Sequence, residues 1–222
     1  MEQTVDSTPA LRPQRITLEG RYIALVPLDA AAHAGELWEG TQGAENDRLW
    51  DYLFDGPYAD RASFYAAIEK KAATDDPLFF AIIGRRSQRA LGYASYMRID
   101  PTHRSIEVGS ILYTPALQRT AGATEAMFLM ARHAFEDLRY RRYEWKCNVL
   151  NEPSRHAAVR LGFSFEGIFR QHMIVKGRNR DTAWYSMLDS EWPARRVAFE
   201  RWLHPWNFDE KGEQKFPLAS LR

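Results

Sequence analysis

Hydrophobic and polar positions alternate in short runs along much of this chain, and elsewhere apolar residues recur at helical spacing. The alternating or β-rich runs predict strands over residues 21–28, 78–84, 90–99, 105–112, 142–149, 163–175 and 180–188. Helical spacing predicts helices over residues 29–39, 60–73, 123–138, 151–162 and 190–203. Residues 46–54 are predicted as a short helical or irregular segment, and the chain has no internal repeat.

Residues that favour helix ends stand at the borders of several of these segments. Asp29, Asp60 and Asn151 are N-cap candidates, and Gly162 is a glycine of the kind that follows a helix. Three hairpin-linked strands precede a β-turn-α-β-α-β-β unit. We therefore predict an α+β fold with a mixed, mostly antiparallel central sheet of about seven strands and helices on both faces. We expect one domain over residues 16–203, after a flexible N-terminal arm (1–15) and before a C-terminal tail (204–222).

The charge balance limits the classes of partner. The 222 residues include 30 basic and 29 acidic side chains, a net charge of +1, which disfavours general nucleic-acid or membrane-surface binding. Cys147 is the only cysteine, so neither an intramolecular disulfide nor a multi-cysteine metal site is expected. The first 13 residues are polar, and no apolar run approaches the about 18 residues of a membrane span. We expect a cytoplasmic protein.

The stretch from Tyr113 to Ala126 is the most informative part of the chain. A predicted strand passes through a turn of small residues into a helix, which leaves backbone N–H groups unpaired at the helix start. Such donors, with the helix dipole, form an anion site that suits a phosphate. Arg119 and Thr120 would add a charge and a hydroxyl, and Gly122 would permit close approach. The alternative is an ordinary turn whose residues are small for packing.

Three motifs together resemble the GNAT superfamily of acyl-CoA-dependent N-acetyltransferases, in particular its ribosomal-protein N-terminal acetyltransferase-like branch. The cofactor signature reads Gln118-Arg-Thr-Ala-Gly-Ala123, followed by Thr124-Glu-Ala126. The others are Asn151-Glu-Pro-Ser154 with Leu161-Gly-Phe163 downstream, and the strand Ile106-Glu-Val-Gly109. The resemblance covers about residues 16–203. Ala121 departs from the pattern, because glycine is usual at that position.

The resemblance implies acetyl-CoA as cosubstrate, with no metal. Backbone N–H groups of the turn would hold the CoA diphosphate, which involves Gln118, Arg119, Thr120, Ala121, Gly122, Ala123 and Thr124. The strand edge at Ile111 and Leu112 would pair with the pantetheine arm. Asn151 would touch the pantetheine, or serve only as an N-cap. Ser154 would donate to the departing CoA thiolate, or only bond the backbone of its helix.

The catalytic and acceptor-side roles rest on single residues with open alternatives. Glu107 would take a proton from the amine, directly or through water, from the strand face it shares with Gly109 and Ile111; otherwise it is a solvated or salt-bridged glutamate. Trp50 and Tyr52 would line the acceptor side, or belong to the core. Cys147 is interpreted as a small buried hydrophobe rather than a nucleophile. The histidines show no spacing typical of metal ligands.

The leading hypothesis is an N-acetyltransferase in which a primary amine, of a protein N-terminus or a small molecule, attacks acetyl-CoA directly in a ternary complex. The alternative is a non-catalytic sensor or scaffold that binds acyl-CoA. A P-loop phosphotransferase is disfavoured because the turn lacks the Gly-Lys-Ser/Thr ending. A small-molecule or peptide amine is the expected partner, with no nucleic acid and no membrane, and a homodimer is compatible with the sequence.

Overall fold

The computed structural model describes residue 4 and residues 6–222. Its strands are β1 (Leu18–Glu19), β2 (Ile23–Pro27), β3 (Leu78–Gly84), β4 (Ala90–Asp100), β5 (Ser105–Tyr113), β6 (Arg142–Asn148), β7 (Ser164–Val175) and β8 (Arg178–Leu188). Its α-helices are α1 (Ala30–Thr41), α2 (Arg61–Ala73), α3 (Ala121–Arg132), α4 (Glu152–Leu161) and α5 (Trp192–Leu203). Short helical turns cover Ala44–Trp50, His133–Asp137, Pro205–Asn207 and Leu218–Leu221.

The strands form one sheet in the order β1-β2-β3-β4-β5-β6-β8-β7. Every neighbouring pair is antiparallel except β5 and β6, which are parallel and are joined through α3. The predicted α+β class and the mostly antiparallel sheet are confirmed. The sheet has eight strands rather than about seven because the two-residue strand β1 pairs with β2, and so short a strand leaves no periodicity in the sequence.

The caps formed as their side-chain chemistry predicts. Asp29 Oδ1 accepts from Ala32 N at 2.8 Å, and Asp60 Oδ1 accepts from Ser63 N at 2.7 Å. Gly162, at φ 100°, ends α4 in the left-handed region that favours glycine. These contacts fix where the helices begin and end against the sheet.

Two apolar clusters cover the two faces of the sheet. The larger lies between the sheet and α3, α4 and α5, and the smaller lies under α1 and α2. The face of the sheet on which α1 and α2 pack is called the second face. Beyond these helices, on β5, β6 and β8, the second face carries polar and charged side chains (Glu107, Glu144, Lys146, Thr182 and Ser186). This half-covered face becomes one side of the candidate site.

Glu125 ties α3 to the first strands, a role that the sequence did not reveal. Its carboxylate accepts from the backbone N–H groups of Arg21, Tyr22 and Ile23 at 2.8, 2.6 and 2.9 Å. The side chain is buried, so these bonds replace the water that the carboxylate loses. They hold the start of β2 against the start of α3.

Both expected terminal segments pack onto the domain where the structure describes them. Ala10 N donates to Pro101 O and Leu11 N to Leu138 O, both at 3.0 Å, so the predicted border at residue 15 is not a structural break. Part of the expected arm (1–3 and 5) lies outside the described residues. In the tail, Asn207 and Leu218 are buried, which places the tail on the core.

Candidate active site

The parallel strands β5 and β6 pair over only part of their length. Ser105 to Val108 are paired with Arg142 to Trp145, and beyond this point the two strands do not pair with each other. β5 nevertheless continues beside β4 as far as Tyr113. One backbone edge of β5 is therefore left without a strand partner, which is the geometry that an extended ligand can join.

The turn after β5 leads into the amino end of α3. Thr120 caps the helix: its Oγ1 accepts from Ala123 N at 3.2 Å and donates to Leu117 O at 2.7 Å. The backbone N–H groups of Arg119, Ala121 and Gly122 have no hydrogen-bond partner within residues 4 and 6–222. Three free donors at the positive end of a 12-residue helix are the kind of groups that can bind an anion.

The small residues of the turn also serve packing. A Cβ on Gly122 would lie 2.8 Å from Ile23 Cγ2, and Ala123 is buried in the larger cluster. The small size of these residues thus lets α3 approach β2, which was the alternative interpretation. The packing interpretation and the anion-binding interpretation are compatible. A side chain on Gly122 would point toward Ile23, whereas the N–H of Gly122 remains unpaired.

The other turn residues differ in exposure. Gln118 and Arg119 are exposed, and Gln118 Nε2 donates to Tyr113 O at 3.2 Å. Thr124 is buried and its Oγ1 accepts from Arg160 Nη2 at 2.8 Å, so its hydroxyl is engaged by α4. Arg160 was not singled out from the sequence; burial lowers the pKa of its guanidinium, which lies over Trp202.

Asn151 and Ser154 lie at the amino end of α4. Asn151 Oδ1 accepts from Ser154 N at 3.1 Å, so the predicted N-cap is formed. Ser154 Oγ accepts from Trp145 Nε1 at 3.0 Å, a contact between β6 and α4 that the sequence did not suggest. The indole occupies an acceptor position of Oγ, and the hydroxyl keeps its proton to donate.

Cys147 is buried beside Ser154. Burial raises the pKa of the Cys147 thiol, and a hydrogen bond with Ser154 acts in the opposite direction. A thiol with a raised pKa is a poor nucleophile at neutral pH. The structure therefore favours Cys147 as a small core residue.

Glu107 is 3% exposed and lies in an ionic cluster on the second sheet face. Its Oε2 accepts from Arg98 Nη1 at 2.7 Å and from Lys146 Nζ at 2.9 Å. Burial raises the pKa of Glu107, while Lys146 and then Arg98 lower it. These contacts are those of a salt-bridged glutamate, and the role of Glu107 as a base stays a prediction.

A bulge in β5 changes which side chains share a face with Glu107. Ser110 has φ 48°, and the pairing with β4 shifts between Tyr93↔Leu112 and Ser95↔Gly109. Past the bulge, Ile111 packs on the larger cluster and Leu112 on the smaller one. The expected placement of Ile111 on the Glu107 face is wrong, because the extra residue reverses the alternation.

Trp50 and Tyr52 occupy different environments. Trp50 is 2% exposed and packs edge-on against Tyr58 and Phe64, which agrees with the core alternative and not with an acceptor wall. Tyr52 is exposed, and its hydroxyl donates to Leu150 O at 3.0 Å, next to the start of α4. Tyr52 is thus the member of the pair that lies beside the site.

The described residues hold no cluster of three His, Cys, Asp or Glu side chains that could bind a metal ion. Among the helices of residues 4 and 6–222, none has the length and hydropathy to cross a bilayer.

Comparison with known proteins places this geometry in context. Residues 23–164 match the family model described as "Acetyltransferase (GNAT) domain". The chain is similar to a solved GCN5-related N-acetyltransferase from Brucella melitensis, with 50% identity, a TM-score of 0.95, and coverage of 96% of this chain and 97% of that one.

Two curated relatives match more weakly. A putative ribosomal N-acetyltransferase of Bacillus subtilis (strain 168) is 30% identical over 105 residues, 47% of this chain and 57% of the relative. A ribosomal-protein-serine acetyltransferase of Escherichia coli (strain K12) is 27% identical over 107 residues, 48% of this chain and 59% of the relative. These matches span little more than half the length of either relative.

Proposed function

Because the chain belongs to the acetyltransferase (GNAT) domain family, we propose that it transfers an acetyl group from acetyl-CoA to a primary amine by direct attack in a ternary complex. The observation that carries the proposal is the set of free N–H groups at the start of α3, next to the unpaired edge of β5. The free N–H groups fit a diphosphate, and the unpaired strand edge fits an extended chain that contains amides. CoA contains both groups.

The cosubstrate would lie along the gap between β5 and β6. Arg119, Ala121 and Gly122 would donate their N–H groups to the diphosphate, with Gln118, Thr120, Ala123 and Thr124 completing the turn. Donation to an anion gives the stronger class of hydrogen bond. Ile111 and Leu112 would present the β5 edge to the pantetheine, and Asn151 would lie near its far end.

Ser154 would stabilise the thiolate as it leaves. Its Oγ accepts from the Trp145 indole, which holds the oxygen at the start of α4. The hydroxyl would donate its proton to the sulfur, and a donor that meets charge only as the charge develops lowers the barrier more than it strengthens ground-state binding. The helix start at Ser154 adds a favourable dipole for the same charge.

Glu107 would accept the amine proton through a water molecule, because the carboxylate is too buried to contact an acceptor itself. The amine must be neutral to attack, and an alkylamine is mostly protonated near neutral pH. A base with a raised pKa holds the proton more readily. Tyr52 would line the acceptor side next to Leu150.

The acceptor is proposed to be a protein N-terminus or a small amine; the names of the two curated relatives refer to ribosomal acceptors, which is consistent with a protein. The test is acetyl-CoA-dependent release of free thiol with a panel of peptides and small amines. Ser154→Ala should reduce kcat by about tenfold or more with little change in acetyl-CoA affinity. Glu107→Gln should reduce kcat by about a hundredfold and remove the acidic limb of the pH profile.

A matched control is Ser190→Ala, since Ser190 is an exposed hydroxyl ahead of α5 and should leave the kinetics unchanged. Thermal unfolding with and without CoA measures cosubstrate binding separately. If CoA gives no stabilisation, the proposed cosubstrate site is refuted. Tight CoA binding without transfer to any amine would instead favour the non-catalytic alternative.

A further inference from the structure

Arg180 lies almost fully buried on the second face of the sheet, with 7% of its surface exposed. Along β8 it alternates in register with Thr182 and Trp184, and Trp184 lies opposite Lys146 of β6. Residues opposite each other on neighbouring strands share a face, so Arg180 belongs to the face that carries the Glu107 cluster.

The Arg180 guanidinium has no ionic or hydrogen-bond partner among residues 4 and 6–222, and its Nε is fully buried. The ring of Phe54 lies over the guanidinium, with its centroid 5.2 Å from Cζ. Arginine is seldom buried without a partner, because removing a guanidinium from water costs several kcal/mol unless an anion or acceptors compensate.

The carboxylates of this face already form ion pairs or hydrogen bonds with other residues. Glu107 is bound by Arg98 and Lys146, and Glu144 by Lys146 and Arg142. The neighbouring Asp181 accepts instead from Gln171 N and Asn179 Nδ2.

Arg180 therefore adds a positive charge without a partner to a cluster that is otherwise paired. Burial lowers the pKa of Arg180, and the largest opposing influence on it is the charge of Glu107. Burial also lowers the pKa of His172, and the charges of Arg180, Arg98 and Lys146 lower it further.

The segment that contains Tyr52 and Phe54 covers Arg180 on the sheet face where α1 and α2 pack. Lys176 Nζ donates to Trp50 O at 2.8 Å, which ties the β7–β8 hairpin to this segment. Tyr52 bonds Leu150 at the loop between β6 and α4. Arg180 therefore lies between the sheet and the aromatic ring of Phe54, on the same sheet face as Glu107, the proposed base.

We propose that Arg180 binds an oxyanion of the acceptor, a carboxylate or a phosphate, so that the enzyme selects amines that carry a negative group beyond the reacting nitrogen. The proposal rests on the proposed function for the identity of the acceptor as an amine. The planar guanidinium can bind either oxyanion with two parallel hydrogen bonds, and the desolvated site strengthens them. The CoA diphosphate is not the ligand of Arg180, since α3 packs on the opposite face.

Binding is measured by calorimetry on the full chain saturated with CoA, which needs no turnover. The carboxylate arm compares γ-aminobutyrate with its amide, and peptides with Asp at the second residue with their Asn counterparts. The phosphate arm compares phosphoethanolamine with ethanolamine, and phosphoserine peptides with serine peptides. We expect the anionic member of at least one arm to bind tenfold or more tightly, and the arm that shows it identifies the oxyanion.

Arg180→Gln should abolish this preference, and Arg180→Lys should keep part of it because the charge remains without the planar fork. Arg178→Gln removes the same charge from an exposed position two residues earlier and should keep the full preference. Thermal unfolding checks that each variant folds. If Arg180→Gln does not fold, the test is whether Arg180→Lys shows a smaller preference for the anionic acceptors than the parent does; an unchanged preference would overturn the proposal.

Equal binding within every pair, no binding of any anionic acceptor, or a preference that survives Arg180→Gln would each overturn the proposal. So would a loss of CoA affinity in Arg180→Gln, since it would place the guanidinium on the cosubstrate. Thiol release with the same panel tests the proposed function independently. A binding preference without transfer would refute only the proposed function, and transfer without a preference would refute only the role of Arg180.

Discussion

Replacing Lys146 with methionine should destabilise the fold far more than the loss of an ordinary surface charge. Lys146 is almost fully buried, with its Nζ 2.9 Å from Glu107 Oε2 and 2.7 Å from Glu144 Oε2, and 3.8 Å from the centroid of the Trp184 ring. Methionine can pack on the indole as the lysine stem does. The substitution therefore removes the charge and keeps most of the volume.

The magnitude follows from burial. Glu107 and Lys146 are 3% and 4% exposed at the side chain, so solvent screens their interaction little. Breaking a buried pair leaves an uncompensated carboxylate and costs about 3–5 kcal/mol. Arg98 still holds Glu107 in the variant, which places the expected loss near the lower end, at about 3 kcal/mol. An exposed pair contributes only about 0–1 kcal/mol.

The loss should also depend on pH. Burial raises the pKa of Glu107 above its ordinary value of 4.5, and Lys146 is the strongest influence in the opposite direction. Without Lys146 the folded-state pKa rises further. The folded protein then binds more protons than the unfolded chain at pH values between the unfolded and folded pKa, and stability falls as the pH rises through this window. At the acidic end of this window, protonation of Glu107 removes part of the cost of its uncompensated charge in the variant.

Urea unfolding at about pH 5 and about pH 8 measures the difference between Lys146→Met and the parent at each pH. We expect the difference to be larger at the higher pH. Arg196→Gln is the control, because Arg196 pairs with Glu200 one helical turn away and with Glu136, and all three side chains are between about a third and a half exposed. It should cost about 0.5 kcal/mol or less, independent of pH. A loss for Lys146→Met below about 1 kcal/mol, or equal at both pH values, would refute the reasoning.

Three further predictions concern other contacts. Glu125→Gln should lower the free energy of unfolding by about 2 kcal/mol in urea unfolding, because an amide cannot accept from three backbone N–H groups at once; no loss would show that these bonds are dispensable. Gly122→Ala should lower Tm and cost about 1–3 kcal/mol, since the new Cβ meets Ile23 at 2.8 Å; an unchanged Tm would contradict this. The Arg142 guanidinium lowers the pKa of Glu166 to about 2, so carboxyl NMR should show Glu166 ionised down to that pH, and Arg142→Gln should return its midpoint toward 4.5.

The helices and most strands could be predicted because their signals are local. Asp29, Asp60 and Asn151 cap helices through their own side chains within three residues, as their chemistry requires. Strand β3 was predicted with its observed ends, Leu78 and Gly84, since it is a continuous apolar run between turns. Such signals need no knowledge of what the segment packs against.

The bulge in β5 could not be predicted in the same way. Serine is not a residue that signals a positive φ, and Ser110 adopts φ 48° because the β4 partner strand requires one extra residue on β5. The consequence is not local: Ile111 and Leu112 exchange faces, and Glu107 shares its face with Leu112 instead of Ile111. Alternation alone fails wherever a neighbouring strand changes the register.

The same distinction separates the two halves of the candidate site. The proposed cosubstrate side depends on a turn and one helix start, so its residues from Gln118 to Thr124 are consecutive in the sequence. The proposed acceptor side depends on charges that lie far apart in the chain: Glu107, Lys146 and Arg180 share one face only because β5, β6 and β8 are neighbours in the sheet. From sequence alone, an arginine in an amphipathic strand is expected to be solvated. Arg180 is recognised as unpaired only because the carboxylates of its face, Glu107 and Glu144, are paired with other cations. Acceptor specificity, as proposed for Arg180, would therefore depend on how charges are matched across strands, which no local motif contains.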